Sequence, residues 1–226
     1  MTSPVLAAKL ALALARLVRD PARLDVVFAL SDALLGDCTA TAELSVTLQD
    51  SEIARACRAR LRTPALDMRD LEAAPAGTLG RAAGEFFRAH DLDPGALPRK
   101  DATNDVEWLA SHLYETHDLW HVVTGFQPNV AGELGLQAFY ATQLSGPFPL
   151  TILSAGMLNT LFFASDQTDE RLASIARGWR MGKRAARLIG VDWSTLLGRP
   201  LDEVRRELGI DVEDDVVPRP AARIAA

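Results

Sequence analysis

The chain has 226 residues, of which 48% are hydrophobic and 24% charged, a composition typical of a folded globular protein rather than a disordered one. Its formal net charge of −6 argues against nucleic acid as a partner, because nucleic-acid binding needs an excess of clustered cations. The two cysteines, Cys38 and Cys57, lack CxxC spacing, so the sequence predicts two reduced thiols rather than a zinc knuckle or a redox motif.

The hydrophobic residues follow a helical period along most of the chain, and no run of alternating β-branched residues stands out. We therefore predict an all-α fold, a single-domain bundle of about eight to ten helices. Caps, glycines and prolines place these helices at 4–18, 21–35, 40–62 with a break near Asp50, 78–90, 104–124, 129–144, 150–164, 168–189 and 200–208. Residues 63–77 are expected to form a loop. The domain is expected to span 1–210, followed by a frayed tail at 211–226.

The N-terminal segment from Val5 to Val18 is apolar enough to resemble the core of a signal peptide. No basic stretch precedes it, however, and Lys9 and Arg16 interrupt it. It is better interpreted as a helix of the domain. Since no mitochondrial-type presequence is visible either, we expect a prokaryotic cytoplasmic protein.

Histidine is scarce, yet three of the four histidines fall within ten positions, at His112, His117 and His121. His117 and His121 are four residues apart on the predicted 104–124 helix and share one face, with Asp118 in the same sector. The Gly125–Pro128 loop lets the next helix fold back antiparallel, which brings Glu133 in its first turn to the same place. Such a set suits Zn²⁺, Fe²⁺, Co²⁺ or Mn²⁺ between two adjacent helices.

His112 is five residues from His117 and lies off the ligand face of a straight helix. We interpret it as a residue that either supports the ligands or is simply structural.

The motif HDLWH, followed by eleven residues and Glu133, resembles the HDxxH-x11-E signature of the Coq4 family of ubiquinone-biosynthesis proteins. The segment Thr124–Glu133 is similar to the glycine-, proline- and asparagine-containing segment of that family. Further similarity extends over residues 75 to 210, including Leu79-Gly80, Val191-Asp192-Trp193 and Leu208-Gly209-Ile210.

The resemblance implies that His117, Asp118, His121 and Glu133 bind one divalent metal ion, usually zinc. It also implies an activity at ring position C1 of a polyprenylated 4-hydroxybenzoate, where the carboxylate is removed or, in an oxidative version, replaced by hydroxyl. The family is further expected to organise other quinone-biosynthesis enzymes at the membrane and to form homodimers. For a bacterial member, this implies a cytoplasmic protein peripherally associated with the inner membrane.

Two functions therefore stay open: a metal-dependent decarboxylase with Asp118 and Glu133 as catalytic residues, and a non-catalytic lipid-binding scaffold with a structural metal. Asp118 is expected to be a ligand rather than a proton donor, although ring protonation needs a donor. An open position on the metal favours catalysis, whereas four protein ligands favour a structural role.

The stretch from Leu134 to Ser165 contains no charged residue, and prolines at Pro147 and Pro149 break it into two pieces. It is either a buried helical hairpin or the lining of an apolar groove for a polyprenyl tail. The groove would be lined by Phe139, Tyr140, Phe148, Phe162 and Phe163. This stretch carries Gln137 and Gln143 where the family often has charged residues.

The predicted 168–189 helix gathers cations within about a third of its circumference. They are Arg177, Arg180, Lys183, Arg184 and Arg187. This face is either solvated or in contact with the anionic headgroups of a membrane that carries the substrate.

Overall fold

The computed structural model describes residues 4–95, 99 and 101–213, and within these residues no β-strand forms. Eleven α-helices follow one another in the described part of the chain, which confirms the predicted all-α class. They are α1 (Pro4–Arg19), α2 (Leu24–Leu35), α3 (Cys38–Thr47), α4 (Ser51–Arg58), α5 (Met68–Ala73), α6 (Leu79–Ala89), α7 (Asp105–Thr124), α8 (Val130–Gln143), α9 (Phe148–Phe163), α10 (Thr168–Arg184) and α11 (Leu201–Glu207). Short 3₁₀ turns precede α10 and α11.

The extra helices arise from capping by aspartates. The break predicted near Asp50 in the 40–62 region is confirmed and separates α3 from α4, because the Asp50 carboxylate accepts hydrogen bonds from the backbone N–H groups of Glu52 and Ile53 and starts α4 anew. In the segment expected to be a loop, Asp67 caps α5 in the same way, through the N–H of Arg69. The prediction that residues 63–77 are rich in loop missed this six-residue helix for this reason.

Helix α10 is shorter than predicted and ends at Arg184 instead of residue 189. After it, the backbone hydrogen-bonds to distant parts of the fold. The N–H of Ala186 donates to the carbonyl of Leu208, and that of Leu188 donates to the side chain of Gln143. These long-range hydrogen bonds replace the local ones that another helical turn would have made.

The frayed tail predicted for 211–226 falls largely outside the described residues, which end at 213. Up to that point the chain still packs on the core, since Ile210 is buried and Val212 contacts the main hydrophobic cluster.

The apolar side chains form two clusters. The larger one gathers residues of α4 to α8, α10 and α11 around fully buried aromatic rings, among them Trp108, Trp120 and Trp193. The smaller one joins α1 and α2 to α9, through residues such as Leu17, Leu30 and Ala155. Helix α9 also packs on α8, where Gly156 lies against Leu134, so it connects the two clusters.

Helices α8 and α10 approach each other more closely than ordinary side chains would allow. A Cβ atom added to Gly178 would lie 1.9 Å from the carbonyl oxygen of Gly135, and one added to Gly182 would lie 2.2 Å from the Thr142 hydroxyl. The glycines of α10 therefore let it rest on the backbone of α8, the helix that carries Glu133.

The loop between α7 and α8 has the predicted start and stop signals. Gly125 takes the left-handed conformation at φ +72° and its N–H donates to the carbonyl of His121, which ends α7. The Asn129 side chain accepts a hydrogen bond from the N–H of Gly132 and starts α8. The histidine-bearing end of one helix is thereby placed beside the first turn of the next.

Across the described residues, no helix alone has both the length and the apolar composition needed to cross a membrane. One bent pair, Phe148–Phe163 with Ser165–Arg184, meets those requirements jointly, with an angle of 118° between its two parts.

Candidate metal centre

Three of the four predicted ligands converge between α7 and α8: His117, His121 and Glu133. The Nε2 atoms of the two histidines are 3.3 Å apart. The carboxylate of Glu133 places Oε1 3.1 Å from Nε2 of His121 and Oε2 3.8 Å from Nε2 of His117. All three ligand atoms lie within 4.8 Å of one another.

The outer ring nitrogens of both histidines are held by partners outside the cluster. Nδ1 of His121 lies 3.0 Å from the carbonyl oxygen of Phe126. Because a carbonyl only accepts, this Nδ1 carries a proton in either form of the ring. In the neutral ring, the form that binds a metal, the Nε2 lone pair faces the cluster, and in the imidazolium form Nε2 donates to Glu133. Nδ1 of His117 lies 3.3 Å from the hydroxyl of Tyr140, whose ring stacks on Trp120. Metal-binding histidines are commonly oriented in this way.

The charges of the cluster favour a cation at its centre. Burial by itself disfavours the charged forms of His117 and Glu133, but their mutual attraction outweighs it. The pKa of His117 is raised and the pKa of the Glu133 carboxyl is held far below its usual range by hydrogen bonds from the two histidines. Burial, followed by the negative charges of Glu133 and Asp118, raises the pKa of Tyr140, so this phenol is neutral.

These donors fit a divalent transition-metal ion. Two ligand atoms at zinc bond lengths of about 2.0–2.1 Å lie about 3.3 Å apart around a tetrahedral ion. Two separations in the cluster, 3.3 and 3.1 Å, are close to this value, and the third, between Nε2 of His117 and Oε2 of Glu133, is longer at 3.8 Å. His121 is buried, whereas the side chains of His117 and Glu133 are 28% and 37% exposed, so the cluster opens to solvent on one side.

Asp118, the fourth residue of the predicted ligand set, does not join this cluster. It is half-buried on α7 next to His117 and acts on that ring through its charge, which contributes to the raised pKa of His117. Its short side chain starts about 100° around the helix from His117, which accounts for its position beside the ligand atoms rather than among them.

His112 belongs to the structural part of α7. It is fully buried, its ring stacks on Trp108, and its Nε2 accepts a hydrogen bond from the backbone N–H of Gly190 at 3.0 Å. Burial lowers the pKa of His112 to about 4, so the ring is neutral. Of its two open interpretations, the structural one fits these contacts.

The five aromatic residues predicted to line a groove lie in three different environments. Phe139 and Tyr140 are buried in the main cluster, and Phe148 packs on the smaller one. Phe162 and Phe163 are 64% and 63% exposed at the end of α9. Because α9 folds back and turns its outer face to solvent, the exposed pair Phe162 and Phe163 is separate from the buried pair Phe139 and Tyr140.

The predicted basic face of the 168–189 helix is also divided. Arg187 lies beyond the end of α10 and donates to the carbonyls of Thr142 and Gln143 at the end of α8. The guanidinium of Arg177 lies 4.0 Å from the centre of the Phe126 ring and donates to the carbonyl of Thr124 at the end of α7. Both arginines stabilise helix C-termini, and only the end of α7, bound by Arg177, adjoins the candidate centre. Lys183 and Arg184 are exposed and Arg180 is half-buried.

Sequence reasoning missed two residues that shape the site. Tyr140 appeared only as a groove residue, yet it contacts His117. The sequence alone assigned no role to Gly132, yet a Cβ atom there would lie 2.0 Å from the carbonyl oxygen of Gln127. The glycine before Glu133 thus lets the first turn of α8 press on the loop. Its place between an N-cap asparagine and a ligand was the available signal.

Known proteins resemble most of the chain. The family model for the coenzyme Q (ubiquinone) biosynthesis protein Coq4 matches residues 5–214. The mitochondrial ubiquinone biosynthesis proteins coq4 of Talaromyces stipitatus and Aspergillus niger are each 30% identical to it, covering 87% of this chain and 69% and 68% of their own lengths.

A crystal structure described as a putative ubiquinone biosynthesis protein from Nostoc punctiforme superimposes with a TM-score of 0.80. It is 28% identical in sequence, and the match covers 91% of this chain and 98% of that one. The family match, the relatives and the shared fold agree with one another, and the chain belongs to the Coq4 family of ubiquinone-biosynthesis proteins.

Proposed function

We propose that this protein removes the ring carboxylate at C1 of a polyprenylated 4-hydroxybenzoate in ubiquinone biosynthesis, with a divalent metal ion held by His117, His121 and Glu133. The observation that carries the proposal is the three-ligand cluster, which is open to solvent on one side. Structural zinc sites are closed by four protein ligands, whereas catalytic sites use three and keep one position for water or substrate. This favours the enzyme over the scaffold with a structural metal.

A bound divalent ion would supply Lewis-acid stabilisation to the carboxylate or phenolate of the substrate. The metal is most plausibly Zn²⁺, with Fe²⁺, Co²⁺ and Mn²⁺ as the other ions that suit two imidazoles and one carboxylate. The carbonyl of Phe126 and the hydroxyl of Tyr140 hold the two imidazoles in the orientation that directs both Nε2 atoms inward.

In this proposal Asp118 is the acid that donates a proton to the ring. When carbon dioxide leaves the ring, the C1 carbon keeps the electron pair of the broken bond and takes up a proton, so an acid must lie nearby. Asp118 lies next to His117, half-buried and outside the ligand cluster. In the oxidative version dioxygen is the oxidant: it takes up the electron pair of the broken bond and becomes hydrogen peroxide, while water supplies the hydroxyl that replaces the carboxylate. This product carries one oxygen atom more than the product of simple decarboxylation.

The test is to measure metal content and product together. Wild type should bind about one divalent ion per chain and convert geranylated 4-hydroxybenzoate to a product without the carboxylate, whose mass distinguishes hydrogen from hydroxyl at C1. Glu133→Gln should lose both metal and product. Asp118→Asn should keep the metal and lose about a hundredfold in rate. His90→Ala serves as the histidine control and should resemble wild type.

Metal-free wild type would overturn the metal site. Loss of metal in Asp118→Asn would make Asp118 a ligand instead of an acid. Persistence of the substrate with each of the four metals, with and without oxygen, would favour the scaffold.

We also propose an anionic membrane surface as the partner that presents this substrate. Support comes from the outer face of α9, where large apolar side chains are exposed: Leu150, Met157, Leu158, Leu161, Phe162 and Phe163. Its neighbour α1 carries Lys9, Arg16 and Arg19 and no acidic residue, and all three cations are exposed. An exposed apolar helix face, on a helix packed against one whose only charges are positive, suits anionic lipid. The other quinone-biosynthesis enzymes would meet the protein at this membrane.

A further inference from the structure

Gln137, in the middle of α8, is a buried polar side chain without a visible use. It is 7% exposed, and its amide oxygen is buried and has no hydrogen-bond partner among the described residues. An unpaired buried polar atom destabilises a fold, and such atoms in natural proteins commonly have a ligand, water or functional partner. The side chain therefore needs an explanation.

The position of Gln137 on α8 points to the candidate centre. It follows Glu133 by four residues and precedes Tyr140 by three, so at 100° per residue it lies within about 40° and 60° of them around the helix. Both neighbours contact His117. Gln137 thus lies on the strip of α8 that faces the histidines.

Gln143, one and a half turns later on the same helix, shows what a structural glutamine looks like in this fold. It is 2% exposed. Its amide oxygen accepts a hydrogen bond from the N–H of Leu188 at 3.0 Å, and its amide nitrogen donates to the carbonyl of Gly182. Its amide is used by the backbone of the segment after α10, while the Gln137 oxygen is not.

We propose that Gln137 binds the aromatic head group of the substrate, its amide oxygen accepting a hydrogen bond from the ring hydroxyl. The inference rests on the proposed function, which supplies a phenol to this site. A neutral amide suits the position, because Glu133 is already negative there and a second carboxylate would repel the substrate carboxylate. Gln137 is then a specificity-determining residue rather than a metal ligand.

The test titrates the metal-loaded protein with 3-geranyl-4-hydroxybenzoate and records Kd, melting temperature and metal content. Gln137→Met should weaken binding about tenfold, keep the metal, and melt at or above the wild-type temperature, since it removes an unpaired polar atom. The matched control, Gln143→Met, should bind the ligand like wild type but melt at a lower temperature. If Gln137 had a structural role instead, Gln137→Met would bind the ligand like wild type and melt at a lower temperature.

The 4-methoxy analogue of the same ligand, which cannot donate from that oxygen, tests the contact without relying on a variant. Wild type should bind it about tenfold more weakly than the phenol, and Gln137→Met should bind both equally. Equal binding of phenol and methoxy analogue by wild type would overturn the role of Gln137 alone. Failure of wild type to bind either one would refute the proposed function, and this inference with it.

Discussion

The three histidines of α7 have two different tasks, set by the atoms around each ring. His117 and His121 turn Nε2 toward Glu133 because a tyrosine hydroxyl and a backbone carbonyl hold the opposite nitrogens. His112, on the same helix, accepts a hydrogen bond from Gly190 and is enclosed by the core. The pair spacing could be predicted from the sequence, because helical geometry alone places residues four apart on one face. The role of His112 could not, since it depends on a segment 78 residues away.

Neutral His112 makes stability dependent on pH. Its pKa is about 4 in the folded protein, against 6.5 for an unperturbed histidine, so between these values the unfolded chain binds more protons. The stabilisation is complete above pH 6.5 and is lost as the pH falls toward 4. It amounts to at most roughly 3 kcal/mol. Urea unfolding at about pH 7.5 and about pH 5 should show this loss.

The variant His112→Gln, which keeps a hydrogen-bond acceptor for Gly190 but cannot titrate, should be less destabilised by acid than wild type. Because the other titrating groups are common to both proteins, the difference between the two pH dependences isolates His112. Equal pH dependence of the two would show that His112 does not titrate as described.

At the scale of helices, the site depends on how α8 is held from two sides. The loop from α7, with Gly125 in the left-handed conformation, sets where α8 begins. On its opposite side α10 lies against it through glycines. The caps of both helices were predictable because they are local in sequence. The break near Asp50 was predictable for the same reason, whereas the early end of α10 depends on long-range hydrogen bonds.

The contact between α8 and α10 is tested by Gly178→Ala. The added Cβ would overlap the Gly135 carbonyl, so α10 must shift, and we expect a loss of about 3 kcal/mol or more in the free energy of unfolding. Gly198→Ala is the control, because a Cβ there meets no atom within 4 Å, and its effect should stay within about 0.5 kcal/mol. Chemical denaturation measures both. A Gly178→Ala variant as stable as the control would contradict the described helix contact.

On the scale of the whole molecule, the uncharged stretch from 134 to 165 is divided between two roles. Its first half is α8, which is largely buried, and its second half is α9, which turns an apolar face to solvent. The sequence alone allowed two interpretations of the entire stretch, a buried hairpin or the lining of a lipid groove. Only packing distinguishes α8 from α9, because both are apolar around most of their circumference.

The outer face of α9 gives a prediction for membrane binding. Replacing Leu161 and Phe162 by serine should weaken binding to vesicles containing phosphatidylglycerol by about tenfold or more, because two exposed apolar side chains can no longer enter the bilayer. A double serine variant at Val46 and Leu92, which are also exposed but lie on other segments, should bind like wild type. Vesicle cosedimentation measures both.

Higher salt should weaken wild-type binding, since the cations of α1 take part. If instead the α9 variant binds vesicles normally and sedimentation shows a dimer becoming a monomer, the face joins two copies of the chain.

The sequence by itself determined the helical class, the caps around the candidate centre and the spacing of its histidines, because these follow from backbone geometry and neighbouring residues. The sequence also predicted that Glu133 lies beside the two histidines, but tertiary structure alone decided that Asp118 stays outside the cluster. It also decided that Gln143 is paired and the oxygen of Gln137 is not. The physical reason is that hydrogen-bond partners and burial are set by elements distant in sequence, whose packing no local pattern encodes.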